Sequence, residues 1–429
     1  MRIGTFAKKY SLHVSTVRYY VKLGLIIPKK DGAQYDFSKK NGYEMDTVLK
    51  LRDMGFTLQE MYTYINTLRV FASEDQNLYK HIVPLLDSKK AALTNELSTI
   101  HSYIHTIDSR LEDIQAENKI ENKQIRRGIP TEFLGIMACP VCGSPLYLEN
   151  SSIMQNQILS ATCSCTCGYE GIIENGIFYT DRDNDLDSDP VFQEDYFGEP
   201  DENGSSDMAF FEILKDGNSE YLTVQHKVRE WMYDAALEHA AEKRVFLFPD
   251  IAALFLYLYS DAKFLKDSLI IVMGLSKKSM ELIQNHLFTL KNHLNIVFVV
   301  SPDHKLPVRR NSIDIMIDYL GSFSCAFYTP QLLYPAVDAY FAEDSVIIGS
   351  MDHYKPGARS NDLAKELYTH SAEPFLTLAQ QKAILKDFDY SIIKDSSLEA
   401  PVDSAIFIDY HSPDDQRYSY VYLAERNKK

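Results

Sequence analysis

Near the amino terminus, apolar residues recur every three or four positions in two short runs that residues 11–14 separate. The first run consists of Ile3, Phe6, Ala7 and Tyr10. In the second run, Ser15 is placed to cap a helix whose Val17, Tyr20 and Val21 face inward. Polar side chains occupy the opposite face of this second helix: Ser15, Thr16, Arg18, Tyr19 and Lys22. Two short amphipathic helices joined by a tight turn predict a helix-turn-helix.

A β-hairpin is predicted directly after the second helix. Residues 26–28 form an apolar run, a basic turn with Lys29 and Lys30 follows, and residues 34–37 return. A helix N-terminus beside a basic hairpin offers N–H groups, hydroxyls and cations to the phosphates and base edges of DNA. We therefore predict that residues 1–70 form a winged helix-turn-helix that binds double-stranded DNA.

Residues 71–128 alternate apolar positions at spacings of three and four, which predicts a long coiled-coil helix. Its apolar seam consists of Leu86, Leu93, Leu97, Ile100, Ile104, Ile107, Leu111 and Ile114, and Lys90 interrupts it. A second copy of the chain is the expected partner, and packing on the carboxyl-terminal body is the alternative. A homodimer would present two wings about a two-fold axis, which suits a palindromic DNA site.

Five of the six cysteines fall within residues 129–180. One pair brackets two residues and precedes a glycine, and three more cysteines follow about twenty residues later. Two close thiolate pairs satisfy tetrahedral coordination of a structural Zn²⁺, so this segment predicts a zinc ribbon. The predicted ligands are Cys139, Cys142, Cys165 and Cys167, with Cys163 as the alternate for Cys165.

Strand-like runs alternate with helical ones over residues 231–429, beyond an acidic spacer at residues 181–230 that we predict to be a solvated loop. The first five strands are predicted at residues 245–248, 269–273, 296–300, 313–317 and 346–348. Such alternation predicts a doubly wound parallel α/β sheet. Three further runs predict an antiparallel edge, at residues 390–394, 405–410 and 418–424. Carboxylates near the strand ends are interpreted as loop residues or caps: Asp303, Asp314 and Asp318.

Composition and charge agree with a multidomain protein. A chain of 429 residues with 45% hydrophobic content is more than one core normally fills. The net charge of −16 divides into +6 for residues 1–70 and −22 for the rest, as expected for a DNA-contacting module on an acidic body. No run of about 18 apolar residues and no apolar signal core is found, so we expect a cytoplasmic protein without a membrane partner.

The order of motifs in residues 1–70 resembles the DNA-binding module of the MerR family of transcriptional regulators. The resemblance rests on IGTFAKKYSLHVSTVRYYVKLGLI, on QYDFS at the end of the wing and on LKLRDMGFTLQEM. The DNA contacts that it implies are made by Arg18, Tyr19, Tyr20, Lys29, Lys30 and Tyr35. Many members carry an arginine where this chain has Tyr35, so a phenol hydrogen bond replaces a charge pair there. The resemblance further implies an antiparallel coiled-coil homodimer, RNA polymerase as a partner and control through distortion of promoter DNA.

The carboxyl-terminal pattern is similar to class I S-adenosylmethionine-dependent methyltransferases. The cysteine segment, which continues as GYEGIIENGIFYT, resembles the zinc ribbons of certain bacterial ribosomal RNA guanine methyltransferases. The similarity implies a Rossmann-like domain, but the usual cofactor contacts are missing. Residues 248–254 contain no glycine, Pro249 removes a donor, and Gly274 stands where a carboxylate for the ribose is expected. We therefore predict a degenerate domain that lacks the usual contacts with S-adenosylmethionine and has no catalytic residues.

Three hypotheses of function follow for this multidomain α+β chain. The leading one is a homodimeric MerR-like regulator, not an enzyme, that binds a palindromic promoter site. A small-molecule or protein effector, sensed by the ribbon and the methyltransferase-like region, would control it. The alternative is an active methyltransferase that modifies nucleic acid and uses the DNA-binding module for targeting. The third is a zinc-dependent interaction scaffold.

Overall fold

The computed structural model describes residues 1–32, 34–71, 76–119, 128–181, 186–188, 192, 219–240, 242–288, 290, 294–369, 371, 377–400 and 409–427. The chain divides into two compact units, Met1–Lys123 and Gln124–Lys429.

Unit 1 is the predicted winged helix-turn-helix followed by a long helix. Its elements are α1 (Ile3–Lys9), α2 (Val14–Lys22), β1 (Lys29–Asp31), β2 (Gln34–Asp36), α3 (Lys39–Asp53), α4 (Leu58–Val70) and α5 (Gln76–Lys119). Phe6 from α1 and Val17 from α2 are fully buried. Phe6 stacks on Phe37 at a ring-centroid distance of 4.3 Å, which ties the first helix to the end of the wing.

Two local predictions in unit 1 are corrected. Helix α2 begins at Val14, because His13 and not Ser15 is its N-cap and accepts a hydrogen bond from the Ser15 backbone N–H. The strand predicted at residues 26–28 is wrong. The backbone of Ile27 instead donates to the Glu44 side chain (3.2 Å) and accepts from Asn41 (2.9 Å), so side chains of α3 satisfy the groups that a strand partner would otherwise pair.

Arg69, near the end of α4, fixes the segment that connects α2 to the wing. Its guanidinium donates to the carbonyls of Gly24 (2.6 Å) and Leu25 (2.9 Å). It also pairs with the Glu44 carboxylate of α3 at 2.9 Å, and the two side chains are only 20% and 11% exposed. One arginine therefore joins α3, α4 and the chain leaving α2.

Helix α5 confirms the predicted long helix and runs for 44 residues. Seven of the eight seam residues are between 40% and 60% exposed in the single chain: Leu93, Leu97, Ile100, Ile104, Ile107, Leu111 and Ile114. Leu86 differs from the prediction, because it packs against the core of the helix-turn-helix and is partly buried within unit 1. The apolar stripe therefore begins at Leu93.

Unit 2 contains the ribbon and the α/β sheet. Its strands are β3 (Ile129–Pro130), β4 (Tyr147–Met154), β5 (Gln157–Ser164), β6 (Glu170–Glu174), β7 (Ile177–Tyr179), β8 (Val245–Pro249), β9 (Leu269–Gly274), β10 (Asn295–Val300), β11 (Ile313–Tyr319), β12 (Phe341–Tyr354), β13 (Tyr390–Glu399) and β14 (Arg417–Arg426). Its helices are α6 (Ser219–His239), α7 (Ala253–Leu258), α8 (Lys277–Phe288), α9 (Gly321–Tyr328), α10 (Leu333–Val337), α11 (Arg359–Leu367) and α12 (Leu378–Asp387).

The predicted doubly wound parallel sheet is confirmed. Strands β8 to β12 are parallel in the spatial order β10-β9-β8-β11-β12, so the order reverses between β8 and β11. Strand β14 lies antiparallel between β12 and β13, which gives the expected antiparallel edge. The strand predicted at residues 405–410 falls largely outside the described residues.

Helices cover both faces of this sheet. Helices α6, α7 and α8 bury one face, through side chains such as Val228, Phe255 and Met280. Helices α9, α10 and α12 bury the other face, where Cys325 and Leu385 pack. Helix α6 begins at Ser219, inside the stretch predicted as an acidic spacer, and most of residues 181–218 lies outside the described part of the chain.

The ribbon and the parallel sheet are one hydrogen-bonded structure. Strand β7 pairs in parallel with β10, with Ile177 opposite Phe298 and Tyr179 opposite Val300. Strands β6, β5 and β3 then extend the same 12-stranded sheet, and β4 pairs with β5. The ribbon is therefore anchored directly to the core of the α/β fold. Within the described ranges, no helix combines the length and the apolar content needed to cross a membrane.

Replacing Arg69 tests whether its contacts hold unit 1 together. Arg69→Met should leave the largely buried Glu44 carboxylate without its cation and the Gly24 and Leu25 carbonyls without a donor, and lower the free energy of unfolding of unit 1 by about 3 kcal/mol. The single tryptophan, Trp231, lies on α6 of unit 2. Denaturant titrations read by circular dichroism should therefore shift, whereas the tryptophan fluorescence transition should not. Arg52→Met is the control, because the Arg52–Asp53 pair is exposed; an equal loss in both variants would contradict the assignment.

Candidate nucleic-acid interface and metal centre

The outward face of α2 carries most of the residues predicted to contact DNA. Ser15, Arg18 and Lys22 are exposed, Tyr19 is 48% exposed, and Thr16 is half-buried. They lie on the face opposite the buried Val17, as the helical periodicity requires. The arrangement places hydroxyls, a phenol and two cations on one accessible surface.

The wing adds cations beside this helix. Lys29 and Lys30 are exposed on β1, and Lys30 is paired in register with Tyr35 of β2. Tyr35 is half-buried, and its ring lies edge-on to Phe37 at 6.4 Å. The core therefore orients the phenol while the two lysines remain accessible.

The cations of this surface are available to phosphates. In the part of unit 1 that the structure describes, Arg18, Lys22 and Lys30 form no salt bridge. The amino terminus of Met1 holds the pKa of Asp36 below its usual value through a hydrogen bond and its charge, and Lys29 contributes. Free cations on one face are what counterion release at a DNA backbone requires.

Tyr20 does not lie on this surface. It is 7% exposed and packs in the core of unit 1 with Val17 and Leu25. Its role is structural, so the prediction that Tyr20 contacts DNA is withdrawn. The helical period placed it inward, and only the family resemblance placed it on the DNA.

The second candidate site is formed by four cysteine thiols of the ribbon. The sulfur atoms of Cys139, Cys142, Cys165 and Cys167 all lie within 4.8 Å of one another. The Sγ atoms of Cys139 and Cys167 are 3.6 Å apart, and those of Cys142 and Cys165 are 3.5 Å apart. Four thiolates at 2.3 Å from a tetrahedral ion would be about 3.8 Å apart, so the geometry fits a metal ion.

Two tight turns shape this centre. The backbone N–H of Gly143 donates to the Cys139 carbonyl, and that of Gly168 donates to the Cys165 carbonyl, both at 2.9 Å. Both glycines have positive φ, 76° and 89°, a conformation that a side chain would strain. Hydrogen bonds from Ser144 lower the pKa of Cys142 to about 6, which favours the thiolate form that binds metals.

Cys163, the alternate ligand, points elsewhere. It is fully buried in the apolar core beneath the sheet, and this burial raises its pKa to about 12. Residues alternate in direction along β5, so Cys163 faces the core there, and Cys165 lies beyond the strand's end in the turn. The structure therefore groups Cys165, and not Cys163, with the other three thiols.

The crevice where a doubly wound sheet usually holds its ligand lies between the ends of β8 and β11. Here the Pro249 carbonyl approaches Gly321 so closely that a side chain at Gly321 would collide with it. The Met280 methyl group lies against Gly274, the position where a ribose-binding carboxylate is expected. The segment after β8 is buried, including Asp250 and Phe255. These residues do not fit S-adenosylmethionine in the usual position.

Two carboxyl groups at the same edge, Asp250 and Asp318, are buried, which the sequence did not predict. Burial raises the pKa of Asp250 to about 7. Asp318 is also fully buried, which raises its pKa, and it accepts hydrogen bonds from the Ser322 N–H (2.7 Å) and the Tyr334 hydroxyl (2.6 Å). Of the two interpretations given for Asp318, the solvated loop residue is therefore wrong, whereas the cap agrees with its bond to the Ser322 N–H in the first turn of α9. Asp314 lies at the opposite edge and caps the backbone N–H of residues 244 and 245.

Comparisons with known proteins bear on the two units separately. Residues 1–68 match the model of the MerR HTH family regulatory protein, so the chain carries a MerR-type helix-turn-helix domain. The HTH-type transcriptional regulator YfmP of Bacillus subtilis (strain 168) is 27% identical over 119 residues, which are 27% of this chain and 84% of that protein.

Solved structures similar to this chain include several methyltransferases. A putative sarcosine dimethylglycine methyltransferase from Galdieria sulphuraria has 11% identity and a TM-score of 0.37, and the match covers 47% of this chain and 86% of that one. A putative methyltransferase from Bacillus halodurans C-125 has 8% identity and a TM-score of 0.34, with 45% and 98% covered. At these values the likeness says nothing of this chain's chemistry.

Metal content tests the cysteine centre. Purified wild-type protein should hold about one zinc ion per chain by elemental mass spectrometry, since four thiolates form a closed site. Cys139→Ser should hold less than one ion, because it removes one of the four sulfur ligands. Cys163→Ser is the matched control and should keep the ion; loss of zinc in that variant, or full retention in Cys139→Ser, would contradict the assignment.

Proposed function

We propose that this chain is a homodimeric transcriptional regulator that binds a palindromic promoter site in double-stranded DNA. The observation that carries the proposal is the exposed polar face of α2, with unpaired Arg18 and Lys22 beside the basic wing. The family of the first 68 residues supports it. Arg18 and Tyr19 would read the major groove, and Lys29, Lys30 and Tyr35 would contact the flanking backbone.

The stripe on α5 supports an antiparallel dimer. Its apolar positions are symmetric about residue 102: Leu93 mirrors Leu111, Leu97 mirrors Ile107, and Ile100 mirrors Ile104. An antiparallel pair centred on residue 102 would therefore place apolar residues opposite one another from Leu93 to Leu111.

Shape and charge at the ends of α5 agree with this register. A groove beside the start of the helix is lined by Met54, Phe56, Leu86, Lys90 and neighbouring residues. In the antiparallel register, the partner's Ile114 would approach this groove, with the acidic residues 112 and 113 close to Lys90. Opposite charges would then meet at both ends of the paired helices.

Control of transcription would act through DNA geometry. Two linked recognition helices can hold a promoter in a bent or untwisted form, and RNA polymerase would meet that altered site. Bending 20–30 base pairs costs roughly 1–6 kcal/mol, which is a scale that effector binding can supply. Unit 2 would sense the effector, and a structural zinc ion held by Cys139, Cys142, Cys165 and Cys167 would keep the ribbon folded.

A methyltransferase acting on nucleic acid is the second candidate, and the strand order of unit 2 is the observation that favours it. Two features oppose it: residues 248–254 contain no glycine turn for a cofactor, and the Pro249 carbonyl packs closely against Gly321 at the end of β8. We therefore assign unit 2 a sensing role without a catalytic residue.

Selection from a random duplex DNA pool tests DNA recognition. The full-length protein should enrich an inverted repeat. Arg18→Ala should enrich no sequence, because it removes the central cation of the reading face. Lys382→Ala, on α12 of unit 2, is the control and should enrich the same repeat as the wild type. Enrichment of the repeat by Arg18→Ala would contradict the assignment of α2 as the reading helix.

Calorimetric titration with S-adenosylmethionine separates the two candidates. The close packing at the crevice predicts no binding at up to about 1 mM cofactor. A dissociation constant above that concentration would be weak for a cofactor site. Micromolar binding, together with methyl transfer to duplex DNA or RNA, would establish the enzyme and contradict the sensing role.

A further inference from the structure

A second group of charged side chains is buried between α6 and the sheet, at the edge where the parallel strands end. Arg417 begins β14, and it is paired in register with Tyr354, the last residue of β12. Asp352 lies two residues earlier on β12, and Arg229 lies on α6. Arg417, Asp352 and Arg229 are only 4%, 1% and 8% exposed. We refer to these three residues and their hydrogen-bond partners as the arginine cluster.

One continuous hydrogen-bond network joins the arginine cluster. Arg417 donates to the Asp352 carboxylate through Nη2. The Gln225 amide donates to the same carboxylate at 3.5 Å, and its carbonyl accepts from the Tyr319 hydroxyl at 2.9 Å. Arg229 then donates through Nη1 to the Tyr319 hydroxyl at 3.2 Å. Residues from α6, β11, β12 and β14 are thereby held in fixed positions around the two guanidinium groups.

The charges of the arginine cluster do not balance. Among the described residues, two guanidinium groups are buried with a single buried carboxylate, Asp352. Glu230, which the Tyr259 hydroxyl links to Arg229, is exposed to solvent. The Nε and Nη1 atoms of Arg417 and the Nε atom of Arg229 are buried without a hydrogen-bond acceptor. Leaving a buried guanidinium without full compensation costs several kcal/mol. The aromatic faces of Tyr221 and Tyr319, 5.2 Å and 5.7 Å from the guanidinium carbons, offset part of this cost but accept no in-plane N–H bond.

We propose that the arginine cluster binds a small organic anion that carries a carboxylate or phosphate group. Arginine is the side chain best suited to these planar or tetrahedral oxyanions, and the unpaired N–H groups supply the donors. Ligands of doubly wound sheets bind at the carboxyl edge of the strands, where this cluster lies. The cluster is formed by α6, β11, β12 and β14 and lies on the β12 side of β11, whereas the usual crevice lies on its β8 side.

The site would also explain how unit 2 senses an effector. An anion bound among α6, β12 and β14 would add contacts between the helix and the sheet that the protein alone lacks. The existence of this site is independent of the proposed regulation, whereas its role as the effector site rests on the proposed function.

Thermal unfolding of the full-length protein, read by the fluorescence of Trp231 on α6, tests the anion site. Sodium succinate and inorganic phosphate are the probes, each exchanged for sodium chloride at constant ionic strength. At least one probe should raise the unfolding temperature by about 5 °C when it is in hundredfold excess over its dissociation constant. Arg229→Gln should lose this rise, because it removes one of the two cations and keeps the Asp352–Arg417 pair. Arg426→Gln, at the far end of the same strand, should retain it.

Two results would overturn the anion site: no rise with either probe in the wild type, or an equal rise in Arg229→Gln. If Arg229→Gln does not fold, the double variant Asp352→Asn with Arg417→Gln replaces it, since it removes the buried pair as a whole. DNA binding measured on the same samples separates the two proposals. A protein that binds its selected DNA but shows no rise contradicts the anion site alone. A rise without DNA binding supports the anion site and contradicts the proposed regulator.

Discussion

The exposed apolar stripe of α5 is the physical constraint from which the proposed dimer and its palindromic DNA site follow. A helix of 44 residues extends for about 66 Å, and the seven large aliphatic side chains from Leu93 to Ile114 are all at least 40% exposed in a single chain. Covering them would contribute roughly 10 kcal/mol before the cost of association. We propose a second copy of the chain as the partner, because the stripe is symmetric about residue 102 and is therefore self-complementary in an antiparallel pair. Everything proposed about palindromic DNA follows from that pairing.

Unit 2 shows a different constraint, which is the continuity of one sheet. Because β7 pairs with β10, the cysteine centre is joined to the α/β core by backbone hydrogen bonds as well as by sequence. At the usual ligand crevice of the same fold, the Pro249 carbonyl packs closely against Gly321. The arginine cluster, on the β12 side of β11, is then the strongest chemical reason to propose that unit 2 binds a small molecule.

Periodicity and motif spacing predicted the elements well, because both are local properties of the chain. The strands from Val245 to Tyr354, the long helix and the cysteine pairs were all recognisable without the structure. The helix start at His13 was missed because histidine is a less common cap than the serine two residues later. The buried state of Asp318 was missed for another reason: its partner Tyr334, and Tyr422, which hydrogen-bonds to Tyr334, come from elements that meet only in the folded sheet. Local patterns also could not predict the arginine cluster, because Arg417 and its partner Asp352 are 65 residues apart in the chain.

The most direct measurement is the mass of the full-length protein in solution by sedimentation equilibrium at micromolar concentration. The account predicts twice 49.1 kDa for the wild type. It predicts the single-chain mass for Ile100→Glu combined with Ile104→Glu, which puts charges at the centre of the stripe. Ser102→Glu, on the opposite face of α5, should remain a dimer. A wild type that sediments as a single chain, or a double variant that still sediments as a dimer, would contradict the account.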